Sequence, residues 1–188
     1  MHHYDYVVVG AGSAGSALAS RLSESGKFTV CLLEAGGSDR KFWVQMPLGY
    51  GKVFHDPSVN WRYMTEPEPN LDNQSVYWPR GKVLGGSSSI NAMVWVRGHK
   101  RDYEEWASVA PGWDWNNVQK IFNRIENWDG TSDVSRGMNG PQAVHDVSSD
   151  VHPLTISYLE AASQIGIKTN ADYNGPNMEG ASCYQIST

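Results

Sequence analysis

Gly10, Gly12 and Gly15 form a G-x-G-x-x-G spacing directly after the apolar run Tyr6-Val7-Val8-Val9. The chemistry served by such a spacing is contact between bare backbone and phosphate. Gly10 would allow a tight turn, Gly12 the approach of a pyrophosphate, and Gly15 close packing of a following helix on the strand. Ser13 and Ala14 lie between these glycines, at the start of that helix. There, free N–H groups and about half a positive charge face an anion. Glu34, followed by Ala35, stands roughly 20 residues on, where a carboxylate accepts from ribose hydroxyls. An acid at that place disfavours a 2′-phosphate, so the set suits FAD or NAD better than NADP. The fingerprint does not separate those two. A glycine-rich turn that binds nothing is the competing reading. It is disfavoured because strand, glycines, helix, second strand and acid fall in order.

A second glycine-rich segment runs Gly81-Lys82-Val83-Leu84-Gly85-Gly86-Ser87-Ser88-Ser89-Ile90-Asn91. Gly85 and Gly86 before three serines make a turn rich in N–H and hydroxyl donors, able to lie against a phosphate or a cofactor ring. Ser87, Ser88 and Ser89 are N-cap candidates for a short helix after them.

The elements that must hold these residues are legible in the apolar pattern. Tyr6-Val7-Val8-Val9 reads as a parallel strand buried on both faces. Ala14, Leu18 and Leu22 recur at helical spacing, and Gly26 stops that helix. Residues 29–33 form a second strand. Residues 36–80 are turn-rich and interleaved with aromatics, including Trp43, Tyr50, Trp61, Tyr63, Tyr77 and Trp78. Such a segment is either a cover over a site or an insertion packed by its own aromatics. Residues 93–98 read as a strand and 100–107 as a helix. Asp114 caps a helix carrying Val118, Ile121, Phe122 and Ile125 on one face. Residues 129–141 read as a loop. Pro153 opens a helix with Leu154, Tyr158, Ala162 and Ile165 on one face, stopped by Gly166. Nothing after Leu33 supplies a further βαβ unit, although a doubly wound sheet needs a third parallel strand. Either that strand is expected from beyond residue 188, or the fold is unusual.

Composition narrows the function further. The chain has 188 residues and a net charge of −5, with no basic block, which argues against nucleic acid as a partner. Two cysteines, Cys31 and Cys183, form no metal or redox motif, and Cys31 is expected as a buried free thiol. The six histidines show no metal-ligand spacing, so no metal is expected. No apolar stretch reaches spanning length and no signal peptide precedes the first strand, so a cytoplasmic location is expected, compatible with peripheral membrane association.

Taken together, these motifs resemble the glucose–methanol–choline (GMC) oxidoreductases, in particular their choline-dehydrogenase-like alcohol dehydrogenases. The resemblance runs from Tyr4-Asp5-Tyr6 through the fingerprint to Glu34-Ala35-Gly36. It continues through Trp78-Pro79-Arg80-Gly81-Lys82, Gly85-Gly86-Ser87-Ser88-Ser89-Ile90-Asn91-Ala92-Met93 and Val96-Arg97-Gly98, and more loosely through Gly140-Pro141 and Asp172-Tyr173-Asn174-Gly175. It implies an α/β fold: an incomplete Rossmann-like FAD-binding βαβ domain with an aromatic-rich lid and additional helices. Residues 1–35 would be the dinucleotide unit, 36–80 the lid, 81–98 the second FAD motif and 99–188 a helical and loop region leading to a substrate domain. The resemblance also implies FAD as cofactor. Gly10, Gly12, Ser13, Ala14 and Gly15 would hold the diphosphate, and Glu34 and Ala35 the adenosine ribose. Val83, Gly85, Gly86, Ser87, Asn91, Ala92, Met93 and Val94 would follow the rest of the cofactor. Some members attach FAD covalently through a histidine whose position here is Ile90, so non-covalent binding is expected.

The activity implied is oxidation of a small-molecule alcohol by hydride transfer to the flavin N5, with a histidine as base. That histidine would lie beyond Thr188. His99, His145 and His152 do not match its motif and are expected as surface or loop residues. The chain is thus expected to supply the cofactor-binding portion and to be inactive alone. The alternatives are a free-standing nucleotide-binding module without catalysis, a hydroxynitrile lyase of the same family, and an NAD-dependent dehydrogenase. The last would leave Gly85 to Asn91 without a purpose.

Overall fold

The computed structural model describes residues 2–131 and 133–188. The chain divides into two compact units, Met1–Ala92 and Met93–Thr188, so the division falls inside segment 81–98.

In the first unit, β1 (Tyr6–Val9) leads into α1 (Ser13–Ser23) and β2 (Val30–Leu33). The strands are parallel, with Tyr6 opposite Val30 and Val9 opposite Leu33. A polar clamp fixes that register. The Asp5 carboxylate accepts from the Thr29 N–H (2.7 Å) and the Thr29 hydroxyl (2.8 Å), which holds the Asp5 carboxyl below the usual range. Gly26, at φ +67°, follows the end of α1. The βαβ order is therefore as the pattern predicts, but burial is not. Only Val8 of β1 is buried, while Val7 and Val9 are exposed. On α1 the buried residue is Ala19, and the expected Leu18 is half-exposed at 52%. The reason is the number of layers: a parallel strand is enclosed only between neighbouring strands and helices on both faces. Among the described residues β1 has one strand partner and one helix. Cys31 is likewise half-buried rather than buried.

Residues 36–80 fold through short elements. These are α2 (Phe42–Gln45), a 3-10 turn (Pro47–Gly49), α3 (Tyr50–Val53), a second 3-10 turn (Pro69–Leu71), and the antiparallel pair β3 (Tyr63–Met64) and β4 (Tyr77–Trp78). Their apolar centre is Val53, Val59, Val83 and Ile90, with Val44 against it. The segment thus has its own small core, built with residues of the second glycine segment.

In the second unit, α4 (Lys100–Ala107) and α5 (Trp115–Ile125) begin where sequence places them. Asp114 caps α5, accepting from the Asn117 N–H at 3.2 Å. Tyr103 of α4 meets Trp115 and Phe122 of α5 at ring separations of 5.7 and 6.1 Å. A three-stranded sheet follows, in which β5 (Glu126–Trp128) runs parallel to β6 (Gln142–Asp146) and β6 antiparallel to β7 (Gln185–Ser187). Between β6 and β7 lies α6 (Pro153–Gln164), with Pro153 at its first position. Its expected apolar face is mostly exposed: Ala162 is buried, but Leu154, Tyr158 and Ile165 are more than 70% exposed. Residues 93–98 are not the expected strand. Met93 has φ +60°, and Val94 makes a single bridge to Ile186, so no ladder forms. None of the helices among the described residues is long and apolar enough to cross a membrane.

Candidate functional site

The two glycine segments meet. Gly12 and Gly85 form a parallel bridge, in which the Gly85 N–H donates to the Ala11 carbonyl at 2.8 Å. Contact here requires glycine. Gly86 has φ +61°, and a Cβ on it would lie 2.8 Å from the Gly12 Cα. A third loop joins them: Gly37 bridges Val83, and the Leu84 N–H donates to the Gly37 carbonyl at 2.9 Å. Gly15 has the role its spacing suggests. A Cβ there would overlap the Gly10 carbonyl oxygen, so only glycine lets α1 approach the end of β1 this closely.

Glu34 ties this hub together. Its Oε2 accepts from the Ala11 N–H and its Oε1 from the Gly36 N–H, both at 2.8 Å. Each carboxylate oxygen retains a second acceptor direction. The serines do not cap a following helix. They sit inside a 3-10 turn (Gly86–Ser89) capped by Gly85. The Ser88 hydroxyl donates back to the Gly85 carbonyl (2.6 Å) and the Ser89 hydroxyl to the Leu84 carbonyl (2.7 Å). Short hydroxyl side chains close such turns by bonding to preceding carbonyls, which outcompetes the capping role.

A cleft of about 640 Å³ opens over the hub. Its lining includes Gly10, Gly12, Glu34, Ala35, Gly86 and Ser87, six of the residues that sequence selects. Ser13 and Ala14 lie exposed on the first turn of α1. That turn has no side-chain cap and no acidic residue, which leaves it suited to an anion. The remaining selections fall elsewhere. Val83 is fully buried in the apolar centre, and only its backbone joins the hub. Asn91 and Ala92 are exposed and do not line the cleft. Met93 and Val94 belong to the second unit, where they pair with β7.

The cleft also has a wall outside the residues that sequence selects for the cofactor: Trp61 and Tyr63 of the aromatic segment, Arg80, and Gly81 at the start of the second glycine segment. Trp61 and Tyr63 stack at 5.9 Å with planes 7° apart, and the Lys82 ammonium lies 4.6 Å from the Trp61 ring centre. The Trp-Pro-Arg-Gly string was the available signal for Arg80. For Trp61 the sequence holds no local signal beyond aromaticity. The donor set fits a dinucleotide: bare backbone at an uncapped helix start for a diphosphate, acceptor capacity at Glu34 for ribose hydroxyls, and flat rings for a base.

In the second unit the polar residues serve one another. Glu126 is fully buried and accepts from Arg97 (2.6 Å), from Arg136 through two nitrogens (2.9 and 2.8 Å), from the Trp95 indole (2.8 Å) and from the Gly137 N–H (3.0 Å). Arg136 reaches on to Asp172 at 2.7 Å. Burial pushes the Glu126 carboxyl up. Hydrogen bonds from Arg136 and Gly137, with the charges of Arg97 and Arg136, outweigh it and hold the group below the usual range. Three histidines serve local structure. His99 and His152 cap α4 and α6, each accepting a backbone N–H at 3.2 Å, and His145 pairs with Asp129 at 2.5 Å. No group of His, Cys, Asp or Glu among the described residues could hold a metal ion.

Comparison with known proteins agrees with this geometry. The chain is 45% identical over 179 residues to the oxygen-dependent choline dehydrogenase of Photobacterium profundum, covering 94% of this chain and 32% of the relative. Pyridoxine 4-oxidase from Mesorbium loti superposes with a TM-score of 0.91 at 32% identity, over 98% of this chain and 36% of that one. An FAD-dependent oxidoreductase from Chaetomium thermophilum gives a TM-score of 0.83 at 28% identity, over 98% and 33%. The chain thus spans about a third of the length of the curated relatives it matches. The model of the GMC oxidoreductases matches residues 4–188, nearly all of the sequence, and the chain belongs to that family.

Proposed function

We propose that the glycine cleft of the first unit binds FAD non-covalently and that the protein oxidises an alcohol to an aldehyde or ketone, with this chain supplying the cofactor-binding portion. The observation that carries the reading is the meeting of Gly12 with Gly85 and Gly86 beside the uncapped start of α1, in one cleft with Glu34. When bound, FAD would supply the hydride acceptor.

The work of this chain is to bind and orient. The first turn of α1 and the bare backbone of Gly10 and Gly12 would take the diphosphate. Glu34 would accept from the ribose hydroxyls with the acceptor directions that Ala11 and Gly36 leave free. Trp61 and Tyr63 would shield the cofactor on the side of the aromatic segment, and Arg80 would add positive charge. Non-covalent attachment is supported at Ile90, which is 3% exposed within the Val53, Val59 and Val83 cluster and has no nucleophile to offer. Alcohol chemistry is supported by the family and by two relatives whose named substrates, choline and pyridoxine, are alcohols. No catalytic residue is assigned within this chain, since His99, His145 and His152 are all engaged in local structure.

Acid precipitation of the purified full-length protein tests the cofactor reading. FAD released to the supernatant is the expected result. Absence of flavin, or flavin that stays with the precipitated protein, would contradict it.

A further inference from the structure

Asn60 is 2% exposed and lies outside the set that lines the cleft, yet every hydrogen-bonding group of its amide is used. Its Oδ1 accepts from the Arg62 N–H (2.9 Å) and from the Arg80 N–H (3.0 Å). Its Nδ2 donates to the Phe54 carbonyl (2.8 Å) and to the Tyr77 hydroxyl (3.2 Å). One side chain therefore ties together α3's end, the residue before β3, the tail of β4 and a tyrosine from β4 itself. The backbone on either side repeats the connection. Asn60 bridges Gly81, the Trp61 N–H donates to the Arg80 carbonyl (2.9 Å), and the Lys82 N–H donates to the Val59 carbonyl (2.7 Å).

Two features make the amide more than packing. Arg62 has φ +57°, a left-handed conformation that a non-glycine residue holds only when its surroundings fix it. The Arg62 N–H is one of the two groups from which Asn60 Oδ1 accepts. Further, the residues it holds are those that carry this wall: Trp61 and Tyr63 flank Arg62, and Arg80 is bonded directly.

We propose that Asn60 is a positioning residue for the cofactor cleft, the amide that holds Trp61, Tyr63 and Arg80 in place over the glycine hub. The proposal rests on the cofactor reading above and deepens it: the aromatic segment contributes a rigid wall to the site rather than a loose cover. A side chain that can accept twice and donate twice from one planar group is required, which asparagine meets.

The test is FAD affinity in the full-length protein, read from the fluorescence of released flavin. Asn60→Leu and Asn60→Asp are compared, each alone and combined with Trp61→Ala. Asn60→Leu removes the amide while keeping the same branching, and Asn60→Asp keeps an acceptor facing the Arg62 and Arg80 N–H groups. Asn60→Leu is expected to raise Kd about tenfold, through loss of a buried hydrogen-bonding hub. Asn60→Asp should recover only part of that loss, because a carboxylate accepts from Arg62 and Arg80 but cannot donate to the Phe54 carbonyl, and Trp61→Ala should cost little more once Asn60 is leucine. An unchanged Kd in Asn60→Leu overturns the proposal. So does a Trp61→Ala loss as large beside leucine as beside asparagine, which marks Asn60 as structural only. If Asn60→Leu does not fold, Asn60→Ser, too short to span all four partners, is judged by the same comparisons. A wild-type protein that takes up no FAD overturns the cofactor reading and this proposal with it, and is read before any variant is made.

Discussion

The two units solve the problem of polar groups in opposite ways. In the first, glycines keep backbone groups bare, and the carboxylate at the centre, Glu34, accepts from two N–H groups among the described residues and has acceptor directions left over. In the second, a carboxylate at the centre is saturated. Glu126 takes five hydrogen bonds and is wholly buried, with two guanidinium groups closed around it. An unsaturated carboxylate beside bare backbone has acceptor capacity left for a ligand. A saturated one is built to hold the chain together. Perturbed ionisation alone would point to the second unit, because the buried carboxyl that shifts is Glu126, yet its partners account for the shift.

That contrast can be broken most forcefully at Glu126. Glu126→Gln leaves Arg97 and Arg136 buried beside a neutral group and is expected to cost about 3–5 kcal/mol of stability, seen as a lowered denaturation midpoint. A loss no larger than that of a surface substitution would show the network to be dispensable. The same group gives a pH dependence. Its folded pKa is depressed below the unfolded value of about 4.3, so its stabilisation is fully present above that value and is lost as pH falls through the folded pKa. Melting followed from about pH 6 downward, about two units past the ordinary carboxylate range, should show this loss in the wild type and a smaller slope in Glu126→Gln. Equal slopes would contradict it.

Glu34→Ala sharpens the other side. It should weaken FAD binding by about 1.5–3 kcal/mol, the range for a hydrogen bond to a charged group. It should also loosen the hub, since Ala11 and Gly36 lose their acceptor. Affinity that does not change would leave Glu34 a purely structural brace, like Glu126. The smallest expected effect is at His99, whose replacement by Ala removes a helix cap and should cost about 1 kcal/mol with FAD affinity unchanged. A larger fall in affinity would show that this histidine does more than cap.

What could be read from the sequence was local. The strand, the three glycines, α1, β2 and Glu34 follow one another within one βαβ unit, and the Asp114 and Pro153 signals place α5 and α6 because a cap acts on its own helix. What could not be read depends on distant partners. Glu126 meets Arg97 29 positions away, and Arg136 meets Asp172 36 positions away. Trp61 and Tyr63 reach the cleft because residues 59–61 pair with residues 80–82. The strands β3 and β4 have two residues each, too short for an alternating pattern to register. Periodicity also identified the apolar faces of α1 and α6 without saying what covers them, and most of those faces are exposed.

The most direct measurement is the FAD dissociation constant of Gly86→Ala in the full-length protein, alongside its circular dichroism. A single methyl there would lie 2.8 Å from the Gly12 Cα and force the two glycine segments apart. Retained secondary structure with Kd raised about tenfold or more, roughly 1.4 kcal/mol, is the expected result. A Gly86→Ala protein that binds FAD as tightly as the wild type would contradict the claim that the meeting of these two segments makes the site.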